Sequence, residues 1–315
     1  MRDSVADGPS HRRLEVNGVE LHAEVLGARR PGRPIVLLHG FTGAAGSMSG
    51  TARDLAELGP TVCIDLVGHG RSQAPRQLAA YRMHSCVAQL MAALDALEVT
   101  RPHLLGYSMG GRVALSVCAA HPSRVASALV VGASAGIEDA GARAERVRSD
   151  RALAARILDG GIEAFVDYWM ALPLFAGQKR LGEEELAAIR RQRLANRPHG
   201  LAQSLLGMGT GAMSPLQREL AKIELPICFA AGAEDAKFAA LAADLARRVR
   251  SGRAESIPEA GHAAHLESPE HFARVARRFF ASVDASRGRR AASVEDTSVG
   301  SRGGLPHPIA EETRS

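Results

Sequence analysis

Five short runs carry almost no polar side chain: Ile35-Val36-Leu37-Leu38, Thr61-Val62-Cys63-Ile64, Leu104-Leu105, Ala128-Leu129-Val130-Val131 and Ile227-Cys228-Phe229-Ala230. A strand with one wet face alternates polar and apolar residues, so a strand without alternation must be covered on both faces. Stretches with helical spacing separate the runs, such as 85–94 and 241–245. Apolar strands alternating with helices predict an α/β fold, a mostly parallel central sheet flanked by helices. Ahead of them, residues 13–22 read as two alternating strands around Asn17-Gly18, a hairpin signal.

The rhythm breaks between 136 and 215, where amphipathic helical segments are punctuated by Gly160-Gly161, Pro173, Gly182 and Pro198. An all-helical insertion of this kind predicts a cap over the strand ends, where open α/β sheets bind ligands. The core is then discontinuous, 13–135 and 216–282, within a chain of 315 residues. From 283 to 315 Ser, Gly, Arg and Pro replace large apolar residues, which predicts a disordered tail.

Composition removes several classes of function. No run of about 18 apolar residues is present, so no membrane span is expected. The first residues lack the apolar stretch of a secretory signal. Four cysteines, at 63, 86, 118 and 228, have no metal-ligand spacing and read as buried thiols in a reducing compartment, the cytoplasm. A formal net charge of +5 invites a nucleic-acid reading, but the arginines are scattered and aromatic residues make up only 4%, too few for base stacking. No nucleic acid is expected as a partner, and nothing specifies an oligomeric state.

The chemistry concentrates at Gly106-Tyr107-Ser108-Met109-Gly110-Gly111, where a buried strand passes into a helix. In this G-x-S-x-G setting glycines permit a sharp turn that exposes the serine hydroxyl above the sheet. A serine needs a neighbour to take its proton. His262 follows the short strand at 254–257, and Asp235 closes the apolar strand at 227–231. The chain order Ser108, Asp235, His262 is that of a hydrolase-type triad, in which Asp235 orients His262 and His262 accepts the serine proton. Glu234 competes for the acid role, and the strand-end position favours Asp235. Gly-bounded His39-Gly40-Phe41-Thr42-Gly43 can aim the Phe41 N–H at the serine, with Met109 N–H as a second oxyanion donor. His39 and the turn at 65–72 read as loop-shaping residues, and His121, His265 and His271 as structural.

These pieces resemble the α/β-hydrolase superfamily across residues 13–282, with Val67 standing where proline is common. That superfamily spans esterases, lipases, dehalogenases, C–C hydrolases and lyases, so membership names no reaction. Longer strings are more specific. Arg112 follows the elbow serine by one helical turn, and residues 143–154, 165–169, 173–175, 189–196, 234–238 and 260–265 are similar to the 2-succinyl-6-hydroxy-2,4-cyclohexadiene-1-carboxylate synthase family of menaquinone biosynthesis.

That resemblance implies a carbon–oxygen lyase, which eliminates pyruvate from 2-succinyl-5-enolpyruvyl-6-hydroxy-3-cyclohexene-1-carboxylate by triad-assisted proton abstraction. It implies a small tricarboxylate substrate, with Arg112, Arg146 and Arg190 binding carboxylates and Tyr107 and Trp169 shaping the pocket. It implies no metal and no organic cofactor. The alternative is a serine carboxylesterase or C–C bond hydrolase with Ser108 as nucleophile, which needs an apolar acyl site and no set of arginines. A non-catalytic binding module has no use for a strained elbow and a complete triad.

Overall fold

The computed structural model describes residues 8–299, with side chains through 286. The strands are β1 (Ser10–Val16), β2 (Val19–Leu26), β3 (Ile35–Leu38), β4 (Thr61–Ile64), β5 (His103–Tyr107), β6 (Ser127–Val131), β7 (Ile227–Gly232) and β8 (Gly252–Ile257). The helices are α1 (Ser49–Leu55), α2 (Met83–Ala96), α3 (Met109–Ala120), α4 (Ala140–Met170), α5 (Glu183–Leu194), α6 (Pro198–Met208), α7 (Gln217–Leu220), α8 (Ala236–Arg248), α9 (Ala264–Glu267) and α10 (Pro269–Val299). The chain has the α/β-hydrolase architecture: one sheet of order β1-β2-β4-β3-β5-β6-β7-β8, antiparallel at β1–β2 and β2–β4 and parallel from β4 onward.

The apolar strands divide their side chains between two layers. Val36, Leu38, Val62, Ile64, Leu104 and Val130 pack with Leu90 of α2, Val113 of α3 and Leu245 of α8. Their neighbours Ile35, Leu37, Cys63, Leu105 and Leu129 pack with Leu55 of α1 and with Phe272 and Phe280 of α10. Period-two alternation is present, but both faces are covered, which is why it is invisible as polarity. All four cysteines are free and buried. Among the described residues, no helix is long and apolar enough to cross a membrane.

The Asn17-Gly18 hairpin forms as expected, with Val16 opposite Val19 and positive φ at both turn residues. Between β6 and β7 the chain inserts α4, α5 and α6, which enclose their own apolar cluster of Ile157, Phe165, Val166, Leu201 and Leu205. Gly161, at φ 77°, breaks α4 into two helical pieces. The insertion is pinned to the core beside β3 and β4. Asn196 accepts from Gly70 N–H (2.9 Å) and donates to the Thr42 carbonyl (2.9 Å).

The last helix continues past the composition change at 283. Phe272, Ala276, Phe279 and Val283 continue one apolar stripe along α10, and Val283 is buried. Asp284 accepts from Arg33 (2.8 Å) and pairs with His103 Nε2 (3.2 Å). The backbone is helical to Val299, and the rest of the expected tail lies outside the described residues. A short apolar stripe within a polar sequence is enough to dock a helix that composition alone assigns to a tail.

Because Phe280 is fully buried and stacks on His103 with ring centroids 4.6 Å apart, α10 is part of the core. Phe280→Ala is expected to lower unfolding free energy by about 3–5 kcal/mol. Urea denaturation followed by circular dichroism measures this, and an unchanged midpoint would count α10 as a dispensable appendage.

Candidate active site

Strand order creates the site. From β3 the chain moves outward to β4, then returns to lay β5 on the other side of β3. Open α/β sheets form a crevice at such a reversal, beyond the carboxyl ends of the strands. Leu38 pairs with Gly106, so the turn leaving β3 and the elbow leaving β5 lie side by side. Glycine makes that contact possible, because a Cβ on Gly110 would sit 2.2 Å from the Leu38 carbonyl oxygen.

Ser108 occupies the elbow at φ 51° and ψ −105°, a conformation rarely adopted outside glycine. Its N–H donates to the Val131 carbonyl (2.9 Å), which fastens the elbow to β6. The hydroxyl lies 3.1 Å from His262 Nε2, and His262 Nδ1 lies 2.9 Å from Asp235 Oδ2. With Nδ1–H donated to Asp235, His262 keeps an Nε2 lone pair for the serine proton. Burial pushes the Asp235 carboxyl up, but the hydrogen bond from His262 and another from Phe238 N–H hold it below its ordinary value. It is therefore a carboxylate at neutral pH. Glu234 points away and pairs with Arg180 (2.8 Å), which resolves the choice between the two acids.

The turn after β3 is held from beneath. His39 is fully buried, donates from Nδ1 to the Gly40 carbonyl (2.8 Å) and accepts Leu66 N–H at Nε2 (3.0 Å). Asp65 accepts from Ala45 N–H (2.5 Å) and Arg71 N–H (2.9 Å). Both are loop-shaping residues. Gly40 abuts the elbow, since a Cβ there would lie 3.5 Å from Ser108 Cβ. Phe41 is thereby next to the serine. Met109 opens α3, so its N–H has no carbonyl partner within the helix. The Phe41 and Met109 amides both belong to the turns that meet at the elbow.

One residue that motif reading passed over fixes the His262 loop. Glu267 accepts Gly261 N–H (2.7 Å) and Ala263 N–H (3.0 Å), gripping the histidine from both sides, and its side chain is fully buried. Its only sequence signal is an acid five residues after the histidine, at the end of the following turn.

A cavity of about 290 Å3 lies between core and cap, bounded by Gly40, Phe41, Tyr107, Phe175, Gln178, Arg193 and His265. Tyr107 packs between His262 and His265 (centroids 5.5 and 4.4 Å), and Trp169 meets Phe41 edge-on (5.3 Å). Thr42 Oγ1, Gln178 Nε2, Arg193 Nη1 and His265 Nδ1 are all buried and, among the described residues, without a hydrogen-bond partner. Buried polar atoms ordinarily have partners, and four without one surround this single cavity. Burial, with the nearby His262, pushes the His265 imidazole down to about 3, so it is neutral.

The expected arginines divide. Arg112 is enclosed one turn beyond the serine, donating to the Met208 carbonyl (3.2 Å), with Nε unpartnered among the described residues. Burial, and then the charge of Arg146, pushes it down to about 10, still a cation at neutral pH. Arg146 donates to the buried Asp150 (2.8 Å). Arg190 resembles Arg146, whose side chain is 41% exposed, in being ion-paired on the cap. Its guanidinium is on the cap surface, 43% exposed and paired with Asp167 (2.9 Å). Arg193, three positions on, is buried over the Phe175 ring (5.0 Å) and lines the cavity. Helix phase is the reason: Glu185, Ala188, Ile189, Gln192 and Arg193 share one face of α5, and that face lines the cavity.

Comparison with known proteins agrees with this architecture. The α/β-hydrolase fold family model matches residues 33–269. A Bacillus subtilis (strain 168) protein assigned as a 2-succinyl-6-hydroxy-2,4-cyclohexadiene-1-carboxylate synthase is 38% identical over 249 residues, 79% of this chain and 90% of the relative. The synthase of that name from Escherichia coli O1:K1 / APEC is 32% identical over 250 residues, covering 79% and 94%. The structure of MenH from S. aureus superposes with a TM-score of 0.79 at 30% identity, covering 83% of this chain and 98% of the other. With its elbow serine, complete triad and helical cap, the chain belongs to the 2-succinyl-6-hydroxy-2,4-cyclohexadiene-1-carboxylate synthase family of the α/β-hydrolase fold.

Proposed function

We propose that this lyase converts 2-succinyl-5-enolpyruvyl-6-hydroxy-3-cyclohexene-1-carboxylate to 2-succinyl-6-hydroxy-2,4-cyclohexadiene-1-carboxylate, releasing pyruvate, in menaquinone biosynthesis. The observation that carries the reading is a Ser108–His262–Asp235 relay roofed by a cap that contributes a buried guanidinium. The four buried free thiols suit a reducing, cytoplasmic setting.

The chemistry follows from the relay. The proton on ring carbon 2 lies next to the succinyl ketone and is the acidic one. Ser108 Oγ takes it while passing its own proton to His262 Nε2, and Asp235 stabilises the imidazolium. Negative charge collects on the ketone oxygen, where the Phe41 and Met109 N–H groups donate. As the ketone re-forms, the ring double bond shifts and the C–O bond at carbon 5 breaks. The departing enolate of pyruvate collects the proton from His262. No acyl-enzyme arises, and the residues in hand supply every proton.

The substrate carries three carboxylates, and guanidinium groups pair with carboxylates through two parallel hydrogen bonds. Arg112 and Arg146 take two of them, and Arg193 takes the place of Arg190 as the third. Tyr107 and Trp169 form the aromatic wall.

Arg193→Ala is expected to lower kcat/KM by roughly ten- to a hundredfold, the loss of about 1.5–3 kcal/mol for a hydrogen bond to a charged group. Arg190→Ala is expected to keep near wild-type kinetics; the reverse pattern would return the role to Arg190. The reaction itself is tested by coupled detection of pyruvate from the enolpyruvyl substrate beside hydrolysis of a short aryl ester. Pyruvate release that is lost in Ser108→Ala supports the lyase, and fast ester turnover without pyruvate would overturn it.

A further inference from the structure

Away from the cap cavity, the open edge of the sheet brings three ligand-type side chains together. The hairpin register sets His11 opposite Glu24 and Arg13 opposite His22, so His11, His22 and Glu24 share one face of β1 and β2. His11 Nδ1 and His22 Nε2 are 3.1 Å apart, and a carboxylate oxygen of Glu24 lies within 4.8 Å of both. Two nitrogens on one tetrahedral zinc ion, each at about 2.0–2.1 Å, stand roughly 3.3–3.4 Å from each other. The observed spacing differs from that by a few tenths of an ångström.

The surroundings fix which atoms face inward. His22 Nδ1 lies 2.8 Å from the buried carboxylate of Asp65, to which it donates. Its Nε2 is therefore left with a lone pair turned toward His11. Metal-ligating histidines are held in this same way, by a carboxylate on the ring nitrogen that does not bind the ion. His11 Nδ1 lies 3.3 Å from Arg71 Nη1 as well as 3.1 Å from His22 Nε2, so it either accepts from Arg71 or, in the other tautomer, donates to His22, and its lone pair is open to an ion once Arg71 is displaced. His11 is exposed, and among the described residues the Glu24 carboxylate accepts one hydrogen bond, from Ser49 Oγ (3.3 Å), so both can adjust around an ion.

We propose that His11 Nδ1, His22 Nε2 and the Glu24 carboxylate form an accessory zinc site, with Asp65 as the outer carboxylate and a fourth position open to water. Two imidazoles and one carboxylate favour Zn2+ over hard ions such as Mg2+. The ion clamps the edge hairpin to the turn that begins at Asp65. It takes no part in the elimination. Arg71 is the one opposing feature, a cation that must swing outward into solvent as zinc enters.

The test uses full-length, tag-free protein stripped with a chelator and titrated with Zn2+ against a chromophoric competitor, with thermal unfolding in parallel. One bound equivalent and a raised Tm are expected for wild type, with no shift from Mg2+. His11→Ala and Glu24→Gln are each expected to weaken zinc binding by more than about tenfold, and Arg71→Ala to tighten it. Pyruvate-releasing turnover of His11→Ala without zinc checks that the exposed substitution leaves the fold intact. Equal zinc affinity in wild type and His11→Ala, or no binding by wild type at large excess, overturns the proposal.

Discussion

The site depends on a single strained residue. Ser108 sits at φ 51° and ψ −105°, and its neighbours are glycines because nothing larger fits: a Cβ on Gly106 would meet the Gly110 carbonyl at 2.5 Å, and one on Gly111 would meet Ala133 Cβ at 2.5 Å. Holding a non-glycine residue in such a conformation costs about 1–3 kcal/mol, sustained by the packing around it. The surrounding elements are arranged to that end. β3 and β6 flank the elbow, α3 starts on it, and Gly132, beside β6, leaves room for the His262 ring. The hydroxyl has one place to go, and the histidine is there.

Carboxylates then stiffen the loops around that point. Asp235 fixes the imidazole, Glu267 fixes the backbone on both sides of it, and Asp65 fixes the base of the turn carrying Phe41. Each is buried enough that its charge is stabilised by N–H donors rather than by water, an interaction stronger than its neutral counterpart. The same relay serves ester hydrolysis in other members of the fold. Beneath the cap, the cavity wall carries the Arg193 guanidinium and buried polar atoms without partners among the described residues, set among apolar side chains.

Much of this was legible in the chain. The strands announced themselves because a strand covered on both faces cannot alternate, Ser108 and Asp235 because each follows such a strand, and His262 because it completes the chain order after the exposed edge strand β8. Arg112 was readable from one turn of helix past a known point. Three features were not. Arg190 and Arg193 differ only in phase on α5, and the inward face of that helix mixes Glu185 and Gln192 with Ala188 and Ile189, so no apolar stripe reveals its direction. Glu267 acts on backbone groups, which leave no trace in residue types. Asp284 finds Arg33, 251 positions away, a pairing that only the closed sheet creates.

The unpaired atoms at the cavity wall have a bearing on what the protein turns away. Thr42 Oγ1, Gln178 Nε2, Arg193 Nη1 and His265 Nδ1 are already shielded from water, so a ligand that brings no matching polar group leaves them with nothing to bond among the described residues. Each group so stranded costs about 1–3 kcal/mol, more for a charged one. Discrimination is thereby written into the wall as a penalty for what a visitor does not bring, and sites of this kind reject lookalikes more sharply than those that rely on fit.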